Sequence, residues 1–243
     1  VRDHHGPCVV GHSASACGAA KLRFCRLRAW GRDLAWARGA SQMGGAADCL
    51  QNDGKKEGGN MNFDWTILHW IQNMLVCPAM DFLMPKITLL GNGGAVWILS
   101  AIGLLATKKY RKYGAFLLAG LAVGVLTGNL TLKPLIARPR PCWLDSSVQL
   151  LIANPTDYSF PSGHTLSSVI GATVLTKANR KFGLAAIPLA ALIAFSRLYL
   201  YVHFPTDILG AAVLGVGIGL VTCTIGDRVR TALAKKGIFL HAR

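Results

Sequence analysis

Three short segments between Lys133 and Asp207 hold residue types suited to phosphate chemistry. They are Lys133-x6-Arg140-Pro141, Pro161-Ser162-Gly163-His164 and Ser196-Arg197-x5-His203-x3-Asp207. A phosphate ester is anionic, and the transition state of its transfer spreads charge over the equatorial oxygens. A catalyst therefore needs fixed cations and N–H donors as much as a nucleophile. Arg140 and Arg197 can each offer phosphate two parallel hydrogen bonds, and Lys133 adds a point charge. Ser162 suits the N-cap of the helix expected after Pro161. The free N–H groups of that helix's first turn form an anion site, and Gly163 leaves the site open to close approach. His164 then faces the same anion. His203 and Asp207, four residues apart, are expected to share one helix face, with Pro205 in the first turn. Asp207 can accept the Nδ1–H of His203, leaving Nε2 as a nucleophile toward phosphorus. Arg138, in Arg138-Pro139-Arg140-Pro141, is given only an auxiliary role. Lysine and arginine at span ends can also snorkel to lipid headgroups, but three such segments in order outweigh that reading.

The elements that must hold these residues are apolar. Of 243 residues, 52% are hydrophobic and 15% charged, and the mean hydropathy is positive, which points to an integral membrane protein rather than a large soluble core. The net charge of +15 could suit a nucleic-acid partner, but the basic residues sit in short clusters between apolar runs, which argues against one. Beyond Met61 the runs cover residues 64–90, 94–107, 113–132, 162–176, 182–196 and 206–226. Several are shorter than the roughly 20 residues of a straight span, so flanking residues must extend them. Trp65, Trp70, Trp97 and Trp143 fit an aromatic belt at membrane boundaries, and His69 an interfacial position. Gly120, Gly124 and Gly128, spaced four apart, permit close helix packing.

If the six runs alternate, Lys108 to Lys112, Lys177 to Lys181 and Arg228 onward fall on one side. That side carries twelve of the seventeen basic residues beyond Met61, while Lys133, Arg138, Arg140 and Arg197 fall on the other. The Lys/Arg excess marks the cytoplasmic side, so both termini are expected there and the three motifs outside.

Residues 1–60 differ from the rest, holding four of the seven cysteines without sustained periodicity or a metal-ligand spacing. Their composition fits disorder or an artefactual extension. Lys55-Lys56-Glu57-Gly58-Gly59 back-translates to a purine-rich stretch able to hold a ribosome-binding sequence just ahead of Asn60-Met61. The expectation is translation from Met61, a membrane-embedded domain over 61–236 and a cytoplasmic tail over 237–243.

Together the motifs resemble the signature of the type-2 phosphatidic-acid phosphatase superfamily, which includes bacterial undecaprenyl-diphosphate phosphatases and vanadium haloperoxidases. All eleven fixed positions are present, and the resemblance covers Met61 to about Gly226. It implies an all-α six-helix bundle with its active site at the extracytoplasmic helix ends, a phosphohistidine intermediate and no required metal or cofactor. By resemblance His203 is the nucleophile, Asp207 its orienting carboxylate and His164 the general acid and then base. Lys133, Arg140, Arg197, Ser162 and Gly163 form the phosphate cage. The expected activity is removal of the terminal phosphate of a lipid phosphate or diphosphate at the outer face of a bacterial inner membrane, with undecaprenyl diphosphate the leading substrate. Phosphatidylglycerophosphate and phosphatidic acid are the alternatives. The partners are then this substrate and the surrounding membrane lipids. A vanadate-dependent peroxidase and a non-catalytic membrane partner are the rival readings.

Overall fold

A computed structural model describes residues 61–235, and all of their regular structure is helical. The expectations about residues 1–60 and about a tail over 237–243 lie outside the described residues. The helices are α1 (Met61–Met74), α2 (Pro78–Gly91), α3 (Ala95–Ala106), α4 (Arg111–Gly124), α5 (Lys133–Ile136), α6 (Pro141–Leu144), α7 (Gly163–Ala178), α8 (Arg180–Tyr199) and α9 (Pro205–Lys235). Among the described residues, four stretches are long and apolar enough to cross a membrane: Pro78–Ala106, Arg111–Leu144, Arg180–Tyr199 and Pro205–Lys235. Leu99, Leu184 and Val213 on these stretches turn outward, as lipid-facing side chains would.

The central helix is α7. Its Leu166, Ile170 and Val174 pack with Leu117 of α4 and Ala211 of α9, while Ala172 and Leu175 meet Trp97 of α3 and Ala186 of α8. Apolar burial does little to drive helices together within lipid, so backbone proximity matters more. The glycine row predicted to allow it does so. A Cβ on Gly124 would lie 2.7 Å from Ile170 Cδ1, and one on Gly128 2.5 Å from Leu166 Cδ2.

Two features of the path differ from the sequence reading. The runs 64–90 and 94–107 are partitioned otherwise: α2 and α3 continue in one direction past a kink at Gly93 and Gly94, both with positive φ. Along this path Asp81 meets Tyr199, Gly91 meets Ile193, and Trp97 and Leu104 meet Ala190 and Ala186, so it runs antiparallel to α8. Helix α1, at 14 residues only about 21 Å long, lies across one end of the bundle. Its Asp64 bonds Thr206, its Gln72 bonds the Tyr199 carbonyl, and its Leu68 and Ile71 pack on the 199–204 segment. Residues 61–235 therefore begin and end at opposite ends of the bundle, rather than on one side as six alternating runs predict. An apolar stripe pitched at helical spacing reads alike whether it crosses a membrane or packs on a loop.

Trp97 is also not a belt residue. It is buried, its Nε1–H donates to Ser168 Oγ at 3.0 Å, and Gly171 makes room for its ring. Basic clusters gather at the end away from Asp207. There Lys112 pairs with Asp227 at 2.8 Å, and Asn179 Nδ2 donates to the Tyr110 hydroxyl at 3.1 Å.

Candidate active site

The structure brings Lys133, Arg140, Gly163, His164, Arg197 and His203 around one cavity of about 500 Å³. Each is placed by a local feature. Between α4 and α5 the chain forms a π-helical stretch, Val125–Leu132, and the Lys133 N–H reaches back to the Gly128 carbonyl. Such widened turns recur at functional sites, and here the turn delivers Lys133 to the bundle interior. Helix α5 stops at Ala137, a non-glycine residue in the left-handed region (φ 48°), after which Arg138 and Arg140 both turn inward. Tyr201, also left-handed (φ 59°), precedes His203 by two residues. Non-glycine residues in this region are uncommon and persist where surrounding contacts enforce them.

Ser162 takes the N-cap position of α7, as expected, but its hydroxyl does not cap. It accepts a hydrogen bond from Thr165 Oγ1 at 3.1 Å instead. His164 Nε2 lies 2.8 Å from Asn92 Oδ1; with that oxygen as acceptor, Nε2 carries its hydrogen. A Cβ on Gly91 would lie 2.7 Å from His164 Cδ2, so the absence of a side chain at 91 lets the ring sit where it does.

His203 and Asp207 depart from the one-helix expectation. His203 precedes the first residue of α9, and its Nδ1 is 3.7 Å from Asp207 Oδ2, an ion-pair distance rather than a hydrogen bond. The fully buried Asp207 carboxylate is held by other donors. Ser159 Oγ donates at 2.5 Å, the Phe204 N–H at 2.8 Å and Arg138 Nη1 at 2.6 Å. Ser159 Oγ also lies 3.4 Å from His203 Nδ1, between ring and carboxylate. The opposite ring nitrogen, Nε2, faces the cage, 3.1 Å from Arg140 Nη1. Burial, reinforced by the charges of Arg140 and Arg197, outweighs the pull of Asp207 and lowers the His203 pKa to about 3. The ring is then neutral near pH 7, with a lone pair toward the cavity.

Arg140 is fixed by its own donors. Nε donates to the Asp157 carbonyl at 2.6 Å and Nη1 to the Val202 carbonyl at 2.7 Å. Arg197 Nη1 donates to Thr88 Oγ1 at 2.7 Å. Its Nε is, among the described residues, the buried side-chain nitrogen left without a hydrogen-bond partner. A buried guanidinium N–H without an acceptor is costly, so this one is suited to an incoming anion.

Sequence reading did not single out Asp64, Thr88, Asn92, Asp157 and Ser159, and it gave Arg138 too little. Arg138 bridges two buried carboxylates, with Nη2 on Asp64 at 2.7 Å and Nη1 on Asp207. Asp64 had a detectable signal: it precedes Leu68 and Ile71 by four and seven residues, a charge on the apolar face of α1. Nothing local in the sequence marks Ser159 or Thr88.

A helical bundle with stretches long and apolar enough to cross a membrane thus gathers three cations and two histidines around one cavity. The sequence family model described as the PAP2 superfamily matches residues 112–230. Undecaprenyl-diphosphatase BcrC of Bacillus subtilis is 31% identical over 153 residues, 63% of this chain and 78% of that relative. The undecaprenyl-diphosphatase of Sulfolobus acidocaldarius is 34% identical over 131 residues, 54% of this chain and 63% of that relative, so the match spans just under two thirds of its length. Phosphatidylglycerophosphatase B of Bacillus subtilis is 31% identical over 150 residues, 57% of this chain and 64% of that relative. Among solved structures, LpxE of Aquifex aeolicus superposes with a TM-score of 0.60 at 27% identity, covering 67% of this chain and 95% of that one. The chain belongs to the PAP2 superfamily.

Proposed function

We propose that this chain hydrolyses the terminal phosphate of a membrane lipid phosphate or diphosphate through a phosphohistidine intermediate. The observation that carries the reading is the shape of the central cavity. Its cationic end holds Lys133, Arg140, Arg197, His164 and His203, and it continues as an apolar groove past Ile98, Leu118, Leu121, Val125 and Ile170. A phosphate bound at the cationic end leaves room for an attached hydrocarbon chain between α3, α4 and α7. That suits a lipid better than a soluble phosphate ester.

In this reading His203 Nε2 attacks phosphorus in line with the leaving oxygen. The bond from phosphorus to that oxygen breaks, and His164, which takes up a proton along with the anionic substrate, delivers it to that oxygen. Asp207, assisted by Ser159, stabilises the positive charge that develops on the His203 ring. Lys133, Arg140 and Arg197 hold the three phosphoryl oxygens, with the free N–H groups of Gly163 and His164 beside them. His164 next takes a proton from water, whose oxygen displaces Nε2 and releases phosphate. The terminal phosphate of undecaprenyl diphosphate is the favoured substrate, since two relatives bear that activity in their names. Phosphatidylglycerophosphate is the second reading, favoured by a third relative.

The six-helix arrangement is retained in this proposal as six helical rods, of which α1 lies along the site end. The clusters at Lys108 to Lys112, Lys177 to Lys181 and Arg228 to Lys235 gather at the opposite end, which supports a cytoplasmic assignment for them and an outward-facing site.

The test is phosphate release from undecaprenyl diphosphate, phosphatidylglycerophosphate and phosphatidic acid by the purified chain in excess chelator. The diphosphate should be turned over fastest, and no release from any of the three would overturn the reading. A finer expectation concerns the acid. Gly91→Ala pushes a methyl group into the His164 ring, so kcat should fall at least about tenfold while KM stays within about threefold. An unchanged kcat would mean that Ile193 or the ring absorbs the methyl group without moving the acid, and unchanged kcat in His164→Ala as well would remove His164 from the chemistry.

A further inference from the structure

The cations that should grip phosphate are already occupied. Lys133 Nζ pairs with Asp157 Oδ2, and Arg140 Nη2 with Asp157 Oδ1 at 2.7 Å. We propose that Asp157 is a specificity-determining residue: its carboxylate fills the phosphate cage of the empty enzyme and yields to a terminal phosphate but not to a phosphodiester headgroup. The inference rests on the reading of the cage given above and adds a rule for what may enter it.

Three observations support this. First, the carboxylate is the movable member. The Asp157 side chain is 53% exposed, against 9% for Lys133 and 2% for Arg140. Second, its backbone is pinned independently. Arg140 Nε donates to the Asp157 carbonyl at 2.6 Å and Nη2 to the Tyr158 carbonyl at 3.3 Å, so the side chain can rotate away without unfolding the loop. Third, the match is incomplete. One carboxylate satisfies two of the three cations and leaves Arg197 Nε, on the same cavity, without an acceptor. Burial alone would raise the Asp157 pKa. The Lys133 hydrogen bond and the charges of Arg140 and Lys133 outweigh it and hold the value at about 2, so the resident anion stays charged at any working pH.

Charge and oxygen count then decide what displaces it. A terminal phosphate has up to two charges and three free oxygens, one for each of Lys133, Arg140 and Arg197. A phosphodiester has one charge and two free oxygens, and gains nothing over the carboxylate it must evict. Bulk membrane lipids are phosphodiesters in large excess over any lipid carrying a terminal phosphate, so an unguarded cage would be filled by them. Because the same penalty falls on every anion, the weakly held diester is pushed out of its binding range while a terminal phosphate, gripped by three cations, still binds. If Asp157 occupies the cage about nine-tenths of the time, it weakens anion binding about tenfold.

The experiment measures orthovanadate binding to the purified full chain by calorimetry in detergent micelles, with phosphatidylglycerol or phosphatidic acid titrated in. Wild-type binding should be nearly insensitive to phosphatidylglycerol, whereas phosphatidic acid should compete at least about tenfold more effectively. Asp157→Asn should bind vanadate about tenfold more tightly in plain micelles and lose that gain when phosphatidylglycerol is added. Asp157→Glu should behave as wild type. Asp157→Ser, which keeps the main-chain anchors, replaces Asn if that variant fails to fold. Equal competition by the two lipids in the wild type, or weaker vanadate binding in a folded Asn or Ser variant, would overturn the proposal and leave Asp157 a strut of the cage. A wild-type chain that binds vanadate yet hydrolyses none of the lipid phosphates sinks the catalytic reading alone, and the competition ratio still decides for Asp157.

Discussion

His203→Gln should lower kcat on the lipid substrate by about 10⁴-fold or more while KM changes less than about tenfold. The expected loss is large because the substitution removes the imidazole lone pair that the fold aims at the cage. The ring is buried and neutral, its Nδ1 edge is turned to Ser159 and Asp207, and its Nε2 edge is turned to Arg140 and the cage. Glutamine can fill much of the space and still meet Arg140, so the substrate should be held but not attacked. A fall in kcat below about tenfold would mean that water, not His203, reaches phosphorus first.

Arg138→Ala should be the most damaging change outside the cage. The two arms of its guanidinium hold Asp64, only 2% exposed, and Asp207, fully buried. Removing it strands two carboxylates in a low-dielectric interior. Breaking a buried pair typically costs about 3–5 kcal/mol, and the partial exposure of Arg138 places this case near the low end, at about 3 kcal/mol. Asp64 also accepts from the Thr206 N–H at 3.0 Å and Thr206 Oγ1 at 2.6 Å, so α1 is tied through the same carboxylate to the start of α9. Both the midpoint of thermal unfolding in detergent and kcat should therefore drop. Arg138→Lys should rescue neither fully, because one ammonium cannot serve two carboxylates in the geometry of a planar fork. An Ala variant with wild-type stability and rate would return Arg138 to the status of a headgroup anchor.

The clustering of the candidate site was largely legible because its residues are written in short motifs. Lys133, Arg140, Gly163, His164, Arg197 and His203 all line the cavity, and the Gly120, Gly124 and Gly128 row packs where its spacing indicated. What escaped detection depends on tertiary placement. Asp157 and Ser159 sit in a loop whose sequence carries no periodic signal, and only the fold carries them to Arg140 and Asp207. The π-helical turn that delivers Lys133 reads as plain apolar helix, because one residue more per turn leaves no mark on composition. Helix α1 and the α2–α3 path were misdivided for a related reason. Hydropathy measures how apolar a segment is and not which end of a bundle it touches. Trp97 shows the same limit: at a span end an indole reads as interfacial until Ser168 and Gly171 are seen to receive it.

The central claim is that His203 carries the phosphoryl group. It is tested most directly by rapid mixing of the chain with undecaprenyl diphosphate labelled in the terminal phosphate, quenched in alkali, where phosphohistidine survives. The account predicts transient label on the peptide containing His203, formed no more slowly than phosphate is released and absent in His203→Gln. Label on any other residue, or a His203→Gln variant that releases phosphate at the wild-type rate, would contradict it.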